Sequence, residues 1–475
     1  MHSPLDPDDW EQFRTNAHNL LDSCIEQLRT ARERPWKPLG DSAKTALRLG
    51  DAADGIGLKH LTDDLIENVL PFGTGNTHPR FFGWVHGTGL AAGLLAEMVA
   101  ATMNSNCGGR DHGAVYVERE VIRWSAKVFG LPETASGVLV AGTSQATVIA
   151  LAVARHKALG IDSRRKGIPE GARLVAYAAE GAHHAIVKAM ELLGLGSDAL
   201  RLIPSRSLNG GMDVTTLAQR IETDRAAGLT PFCVIGTAGS VNCGAFDPLD
   251  ELADFCARES LWLHIDGAFG AWTRIAGPPW NKLVRGIERA DSIATDFHKW
   301  MFVQYDCGMV LVRNEADHRA AFAERPSYLE AQHSGLGGGE PWFCDYGTDL
   351  SRGFRALKVW SALRCHGSRA LGAAIAENCR LATMMGRLVQ ESPELKLAAP
   401  VTANICCFSV ADSPDPGTLN TDVTRRLQLS GDVVFSTTKI GGMTVIRAAI
   451  TNHRTRETDI EFAIRRVREV AAAAR

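Results

Sequence analysis

Lys299 closes the stretch ATDFHK, which reads as the end of a buried strand. Lysine is almost never fully buried without a partner. Two readings compete: the side chain snorkels to the surface from a strand end, or its amine is held there for covalent chemistry. Asp266 ends another apolar run, LWLHID; alone it is equally a loop carboxylate or a helix cap. Gly142-Thr143-Ser144 follows GVLVA and opens a helical stretch. Backbone N–H groups and the positive end of that helix would hold a phosphate, with the hydroxyls as further donors; alternatively Thr143 or Ser144 simply caps the helix. His183 and His184 follow RLVAYAAEGA, and Thr237 ends PFCVIGT. Each signal is weak alone, but the ordered set matches the demands of pyridoxal phosphate. The lysine amine would bond to the cofactor aldehyde, the aspartate would keep the ring nitrogen protonated, and the helix start would hold the phosphate. One imidazole would stack on the ring face.

The elements between these residues place them together. Strand-like runs (GVLVAG, RLVAYAA, LRLIPS, PFCVIGTAG, LWLHIDGA) alternate with helical ones (TSQATVIALAVARHKA, AIVKAMELLG, VTTLAQRIETDRAA, PLDELADFCARES). That alternation predicts an α/β fold with a mostly parallel sheet covered by helices on both faces, and ligands of such sheets bind beyond the carboxyl ends of the strands. DSIATDFH and CGMVLVRN follow each other without a long helix, which predicts one antiparallel step. Residues 1–75 read as a helical segment and 76–355 as the large α/β domain. Two helical stretches, RGFRALKVWSALRCHG and LGAAIAENCRLATMMGRLVQES, then lead to strands NICCFSV, VVFSTTKI and MTVIRAAI and a terminal helix. Residues 356–475 are therefore expected to form a small α+β domain.

Bulk properties narrow the function. The chain has 475 residues, 45% hydrophobic and 22% charged, with a formal net charge of −3. That is an ordinary globular composition without the basic footprint expected of a nucleic-acid or anionic-membrane binder. The 11 cysteines show no disulfide or metal framework, which fits reduced thiols in a cytoplasm. The acidic, polar start MHSPLDPDDWEQF does not read as a signal peptide, and no apolar run is long enough to span a membrane. The expected partner is a small molecule. FFGWVHGTGLAAGLL contains G-x-G-x-x-A at Gly87, Gly89 and Ala92, but no acidic residue follows at the distance a dinucleotide site requires.

The segments HPRFFGWV, GTSQAT, GAHHAIVKA, LHIDGAFG, FHKW, RPSYL, SRGFRALKVW and RAAITNH occur in this order. In them the chain resembles the group II pyridoxal-phosphate decarboxylases, and most closely the aromatic-L-amino-acid branch. The resemblance runs from about Trp10 to the end. It implies a fold-type I enzyme with a seven-stranded, mostly parallel central sheet. It implies a homodimer whose subunits share the active sites, and decarboxylation of an L-amino acid to amine and CO2. By matching position, Lys299 is the cofactor-bonding lysine, Asp266 the partner of the ring nitrogen and His183 the ring-stacking histidine. Thr143, Ser144 and His298 fall near the phosphate, Ala268 and Thr237 on the ring, and Ser351 on the phosphate from the partner subunit. Trp84 and Gly87 fall in the segment that lines the substrate pocket from the partner subunit, and Phe82 beside them offers that pocket a ring surface. Tyr328 matches the loop tyrosine that protonates the substrate carbon after CO2 leaves; relatives with phenylalanine there turn to oxidative deamination and release an aldehyde.

The chain also departs from the family. Asp296-Phe297 replaces the commoner Asn-Pro, setting a carboxylate near a phosphate. Gln145 stands where glutamate is common. Within Asn104 to Glu118 no aromatic residue stands at the place where aromatic-substrate enzymes usually carry one, and Arg110 lies close by, which leaves aspartate or glutamate open as substrate. Arg447 is either a substrate-carboxylate clamp or a structural arginine of the C-terminal domain.

Overall fold

The computed structural model describes residues 5–34, 36–49, 53–207, 210–324, 334–411 and 413–474. Its strands are β1 (Ser136–Val140), β2 (Leu174–Ala179), β3 (Leu200–Ile203), β4 (Ser205–Ser207), β5 (Gly210–Met212), β6 (Thr230–Thr237), β7 (Trp262–Asp266), β8 (Ser292–Asp296) and β9 (Gly308–Val312). In the C-terminal part they are β10 (Leu395–Leu397), β11 (Ile405–Val410), β12 (Ser436–Ile440) and β13 (Met443–Ala449). The main sheet has 7 strands in the order β1-β9-β8-β7-β6-β2-β3. Strand β9 runs antiparallel to both of its neighbours, β1 and β8, and the other pairs are parallel. The antiparallel step expected from the two late apolar runs is present, and β9 also inserts between β8 and β1. Every residue of β1, β2, β7, β8 and β9 is buried, as helices on both faces require.

Up to residue 355 the α-helices among the described residues are α1 (Trp10–Arg29), α2 (Asp41–Ala46), α3 (Gly57–Asp64), α4 (Ala91–Met103), α5 (Gly113–Phe129), α6 (Thr143–Leu159), α7 (Ser163–Lys166), α8 (Ala185–Leu192), α9 (Val214–Ala226), α10 (Leu249–Glu259) and α11 (Glu315–Phe322). Helix α6 lies against β6, β7, β8 and β9 and touches α8, while α9 and α10 touch each other and β6. A buried ion pair ties α5 to β1: Arg352 bonds Glu118 of α5 and the carbonyls of Cys107 and of Leu139 in β1.

The C-terminal part holds α12 (Ala356–Gln390), α13 (Pro416–Ser430) and α14 (Glu457–Ala473) around an antiparallel sheet, β10-β11-β13-β12. The two helical stretches read from the sequence form the single run α12, broken at Gly367, whose φ of 74° is left-handed. A second core gathers here, with Phe408, Phe435, Ile446 and Ile460 at its centre. Phe82 belongs to it. The N–H of Phe82 donates to the Val434 carbonyl at 2.7 Å, and its carbonyl accepts the Ala449 N–H at 2.8 Å. Its ring, 0% exposed, meets Phe435 at 5.7 Å. Phe82 is thus a core residue of the C-terminal part, and the expectation that it touches substrate is corrected: a ring fully covered within its own chain reaches no ligand.

Among the described residues no helix is long and apolar enough to cross a membrane, and no group of three or more His, Cys, Asp or Glu is arranged to hold a metal ion.

Candidate active site

Strands β1, β6, β7 and β8 end at one edge of the sheet, and the turns beyond them line a crevice of about 340 Å3. Lys299 is set by its neighbours. Phe297 and Trp300 are 0% exposed; the Phe297 ring lies 5.0 Å from Trp272, and the Trp300 indole N–H donates to Asn378 at 3.0 Å. With both flanks anchored in the core, the side chain between them turns into the crevice. Lys299 does not snorkel: its Nζ sits 2.7 Å from Asp296 Oδ2.

Asp266, at the end of β7, is 5% exposed and accepts the Ala268 N–H at 3.2 Å. Burial pushes its carboxyl up, against the opposing pull of the Lys299 and His183 charges. Thr237, which ends β6, lines the same crevice with Ala268, His298 and Ser144. His298 accepts the Cys307 N–H on Nδ1 at 3.0 Å, which points Nε2 toward Asp296; burial lowers its pKa. His183 stands exposed at the mouth, its Nδ1 accepting the Ala185 N–H at 3.1 Å. Loss of water around its charged form lowers its pKa, with the Asp266 charge opposing. His184 does not line the crevice.

Neither Thr143 nor Ser144 caps α6: no side chain of the helix start does so. The Thr143 N–H instead donates to Asp296 Oδ1 at 2.7 Å, across 153 residues of sequence. The Thr143 and Thr237 hydroxyl oxygens are buried without a hydrogen-bond partner, a costly state that calls for an external one. Two orphaned hydroxyls, a carboxylate whose pKa is raised by burial, and a lysine on the same crevice fit a phosphorylated pyridine aldehyde.

The remaining sequence candidates divide. Trp84 lines the crevice with 53% of its surface exposed. It holds a left-handed φ of 51°, clamped by Ser436 on its N–H at 3.2 Å and by Arg447 on its carbonyl at 2.9 Å. Arg447 also bonds the Asn242 carbonyl at 3.0 Å and does not line the crevice, so it is the structural arginine and no clamp on substrate. Gly87 supports the site from behind rather than lining it. A Cβ there would lie 2.1 Å from the His298 carbonyl and 2.6 Å from that of Lys299. Gly87→Ala is therefore expected to displace the Lys299 turn, to destabilise the fold by about 1–3 kcal/mol and to weaken cofactor retention. A thermal melt and the absorbance of the purified variant check both, and an unchanged melt would refute the close contact.

Ser351 is exposed and does not line this chain's crevice. Arg110 stacks over Trp342 at 4.5 Å and is likewise absent from the crevice. Tyr328 lies outside the described residues. The G-x-G-x-x-A pattern has no strand before it, since residues 82–90 are irregular.

Two residues went unread in the sequence. His86 and Tyr305 both line the crevice. The His86 ring stacks on Phe81 and Trp84 at 5.7 and 5.6 Å and meets Tyr305 edge-on at 5.9 Å, and Tyr305 lies 4.3 Å from His298. Burial, and then the Lys299 charge, lower the pKa of His86. Rings in GWVHG and VQYD were the available signal.

A mostly parallel sheet whose strand ends gather a lysine, an aspartate and an uncapped helix start defines a fold-type I pyridoxal-phosphate enzyme. Residues 47–411 match the model of the pyridoxal-dependent decarboxylase conserved domain, and the chain belongs to that family. It is a pyridoxal-phosphate-dependent amino acid decarboxylase. The aromatic-L-amino-acid decarboxylase of Bacillus atrophaeus is 31% identical over 455 residues, covering 94% of this chain and 92% of that protein. The phenylacetaldehyde synthase of Arabidopsis thaliana is 27% identical, covering 98% and 97%. The crystal structure of Oryza sativa TDC with PLP and tryptamine superposes with a TM-score of 0.90 at 26% identity, over 100% of both chains.

Proposed function

We propose that the substrate is an aromatic L-amino acid, converted to its amine and CO2. The observation that carries this reading is the wall of rings (Trp84, His86 and Tyr305) on the crevice that Lys299 enters. The names of the relatives in Bacillus and rice support it. Bound in the crevice, pyridoxal phosphate supplies the electron sink that takes the pair released when the carboxyl bond breaks.

The chain's own residues do the rest. The N–H groups and hydroxyls at the start of α6 hold the phosphate. With the cofactor bound, Asp266 would keep a proton on the ring nitrogen, His183 would cover the ring face, and Lys299 would supply the amine that holds the cofactor and frees the product. Tyr328 donates the proton to the substrate carbon.

An amine-release screen over the proteinogenic amino acids tests the substrate. Turnover of glutamate or aspartate with no aromatic turnover would overturn the reading; the stacking of Arg110 on Trp342 does not favour that outcome. In the same screen Trp84→Ala is expected to raise KM for the aromatic substrate about tenfold with a smaller change in kcat, since the lost ring contact acts on binding.

The Arabidopsis relative favours a second reading, oxidative decarboxylation in which dissolved dioxygen takes two electrons to become peroxide and water releases the aldehyde and ammonia alongside CO2. Product analysis separates the two, and the identity of Tyr328 favours the amine.

We further read the chain as a cytoplasmic homodimer of three units, 1–75, 76–355 and 356–475, with Ser351 serving the partner's phosphate. Helix α3 buries none of its residues, and Trp10 of α1 is 58% exposed, so the helical segment presents apolar surface for a second copy to cover. Light scattering at micromolar concentration that gave a monomer would overturn this.

A further inference from the structure

Asp296 is the least expected group in the crevice. It is 1% exposed. One oxygen accepts the Thr143 N–H at 2.7 Å and the other holds Lys299 Nζ at 2.7 Å, with His298 Nε2 at 3.7 Å. It has little freedom to leave: a Cβ at Gly308 would lie 2.6 Å from Asp296 Oδ1, and one at Gly142 3.6 Å from it. A carboxylate so confined occupies the first backbone donor of α6, where an arriving phosphate would seek its own partners. The Thr143 hydroxyl beside it remains buried and unpartnered, so the seat is only half satisfied from within.

We propose that Asp296 is a positioning residue that acts as a resident anion at the phosphate seat, anchoring the Lys299 ammonium before the cofactor arrives and weakening the hold on the phosphate. It rests on the pyridoxal-phosphate assignment. The cost to the cofactor is one shared N–H donor and one nearby like charge; the gain is a lysine fixed in the crevice of the empty protein.

The test separates the phosphate from the ring and from the covalent bond. Pyridoxine 5′-phosphate and pyridoxine have no aldehyde and cannot bond to Lys299. Their affinities for the cofactor-free protein are measured by quenching of intrinsic fluorescence, in wild type and in Asp296→Asn. The variant is expected to bind pyridoxine 5′-phosphate about tenfold more tightly, since one like charge is removed from beside the phosphate, and pyridoxine within twofold of wild type. Asp296→Ser, smaller and also uncharged, is expected to move the ratio in the same direction and guards against an effect peculiar to the amide. An unchanged or reduced ratio of the two affinities would overturn the proposal alone. A wild-type protein that binds neither compound would overturn the cofactor assignment as well. A loss of both affinities in the variants would mean that the carboxylate holds the site together, and the proposal would fall.

Discussion

Lys299→Ala is expected to purify colourless, to take no label at position 299 on borohydride reduction, and to lose kcat on the order of 10^3-fold or more, as removal of a covalent catalytic group does. The geometry adds a second effect. Lys299 is the cation that faces Asp296 at 2.7 Å, and truncation leaves that buried carboxylate with the Thr143 N–H and the more distant His298 ring. Removing one partner of a buried pair is destabilising, so the cofactor-free variant should melt below wild type. Lys299→Arg separates the two effects. It keeps a positive charge beside Asp296 and should recover most of the melting temperature while remaining inactive. Activity in the alanine variant within tenfold of wild type would refute the covalent role.

Asp266→Asn is expected to leave the fold intact and lower kcat about 10²- to 10³-fold, the range found when one preorganised electrostatic group is removed. The amide has the same shape, and its oxygen can still accept the Ala268 N–H. It carries no charge to hold a proton on the pyridine nitrogen, and that proton lets the ring accept electrons. The stability of the cofactor-free protein should move oppositely. Burial raises the Asp266 pKa above its ordinary 3.8, so the folded state holds this proton more tightly than the unfolded chain does. That contribution is fully present below the unfolded value and is lost as pH rises through the folded one. Cofactor-free wild type therefore carries a destabilising slope over that window which the asparagine variant lacks. Parallel melts across the acid range measure it; identical slopes would remove Asp266 from this account.

Much of the site was legible because the strands that end in it are buried on both faces. A run such as LWLHID or DSIATD has to be a core strand, and whatever polar residue terminates it has to emerge at the sheet edge. Pairing is another matter. Nothing in GVLVA says that it lies beside GMVLV, because strand periodicity fixes a face and not a neighbour. Helix α13 was hidden by the turn-like DSPDPG, yet Asp415 caps it through the Thr418 N–H and Pro416 opens its first turn. Phe82 was misread because HPRFFGWV is one continuous motif in sequence but alternates between two bodies in space: Phe82 faces the second core while Trp84, two residues on, lines the crevice. Asp296 was legible as an oddity. Its bond to Thr143 was not, since only the folded sheet brings β8 beside the start of α6.

The grip of Arg447 on the Trp84 carbonyl spans 363 residues of chain. The ring that fronts the crevice is thereby aimed by β13 and, through Ser436, by β12. Selectivity that depends on the Trp84 ring would respond to changes in a strand pair that does not line the crevice. A search for specificity determinants confined to the crevice lining would pass over the two residues that hold this ring's backbone.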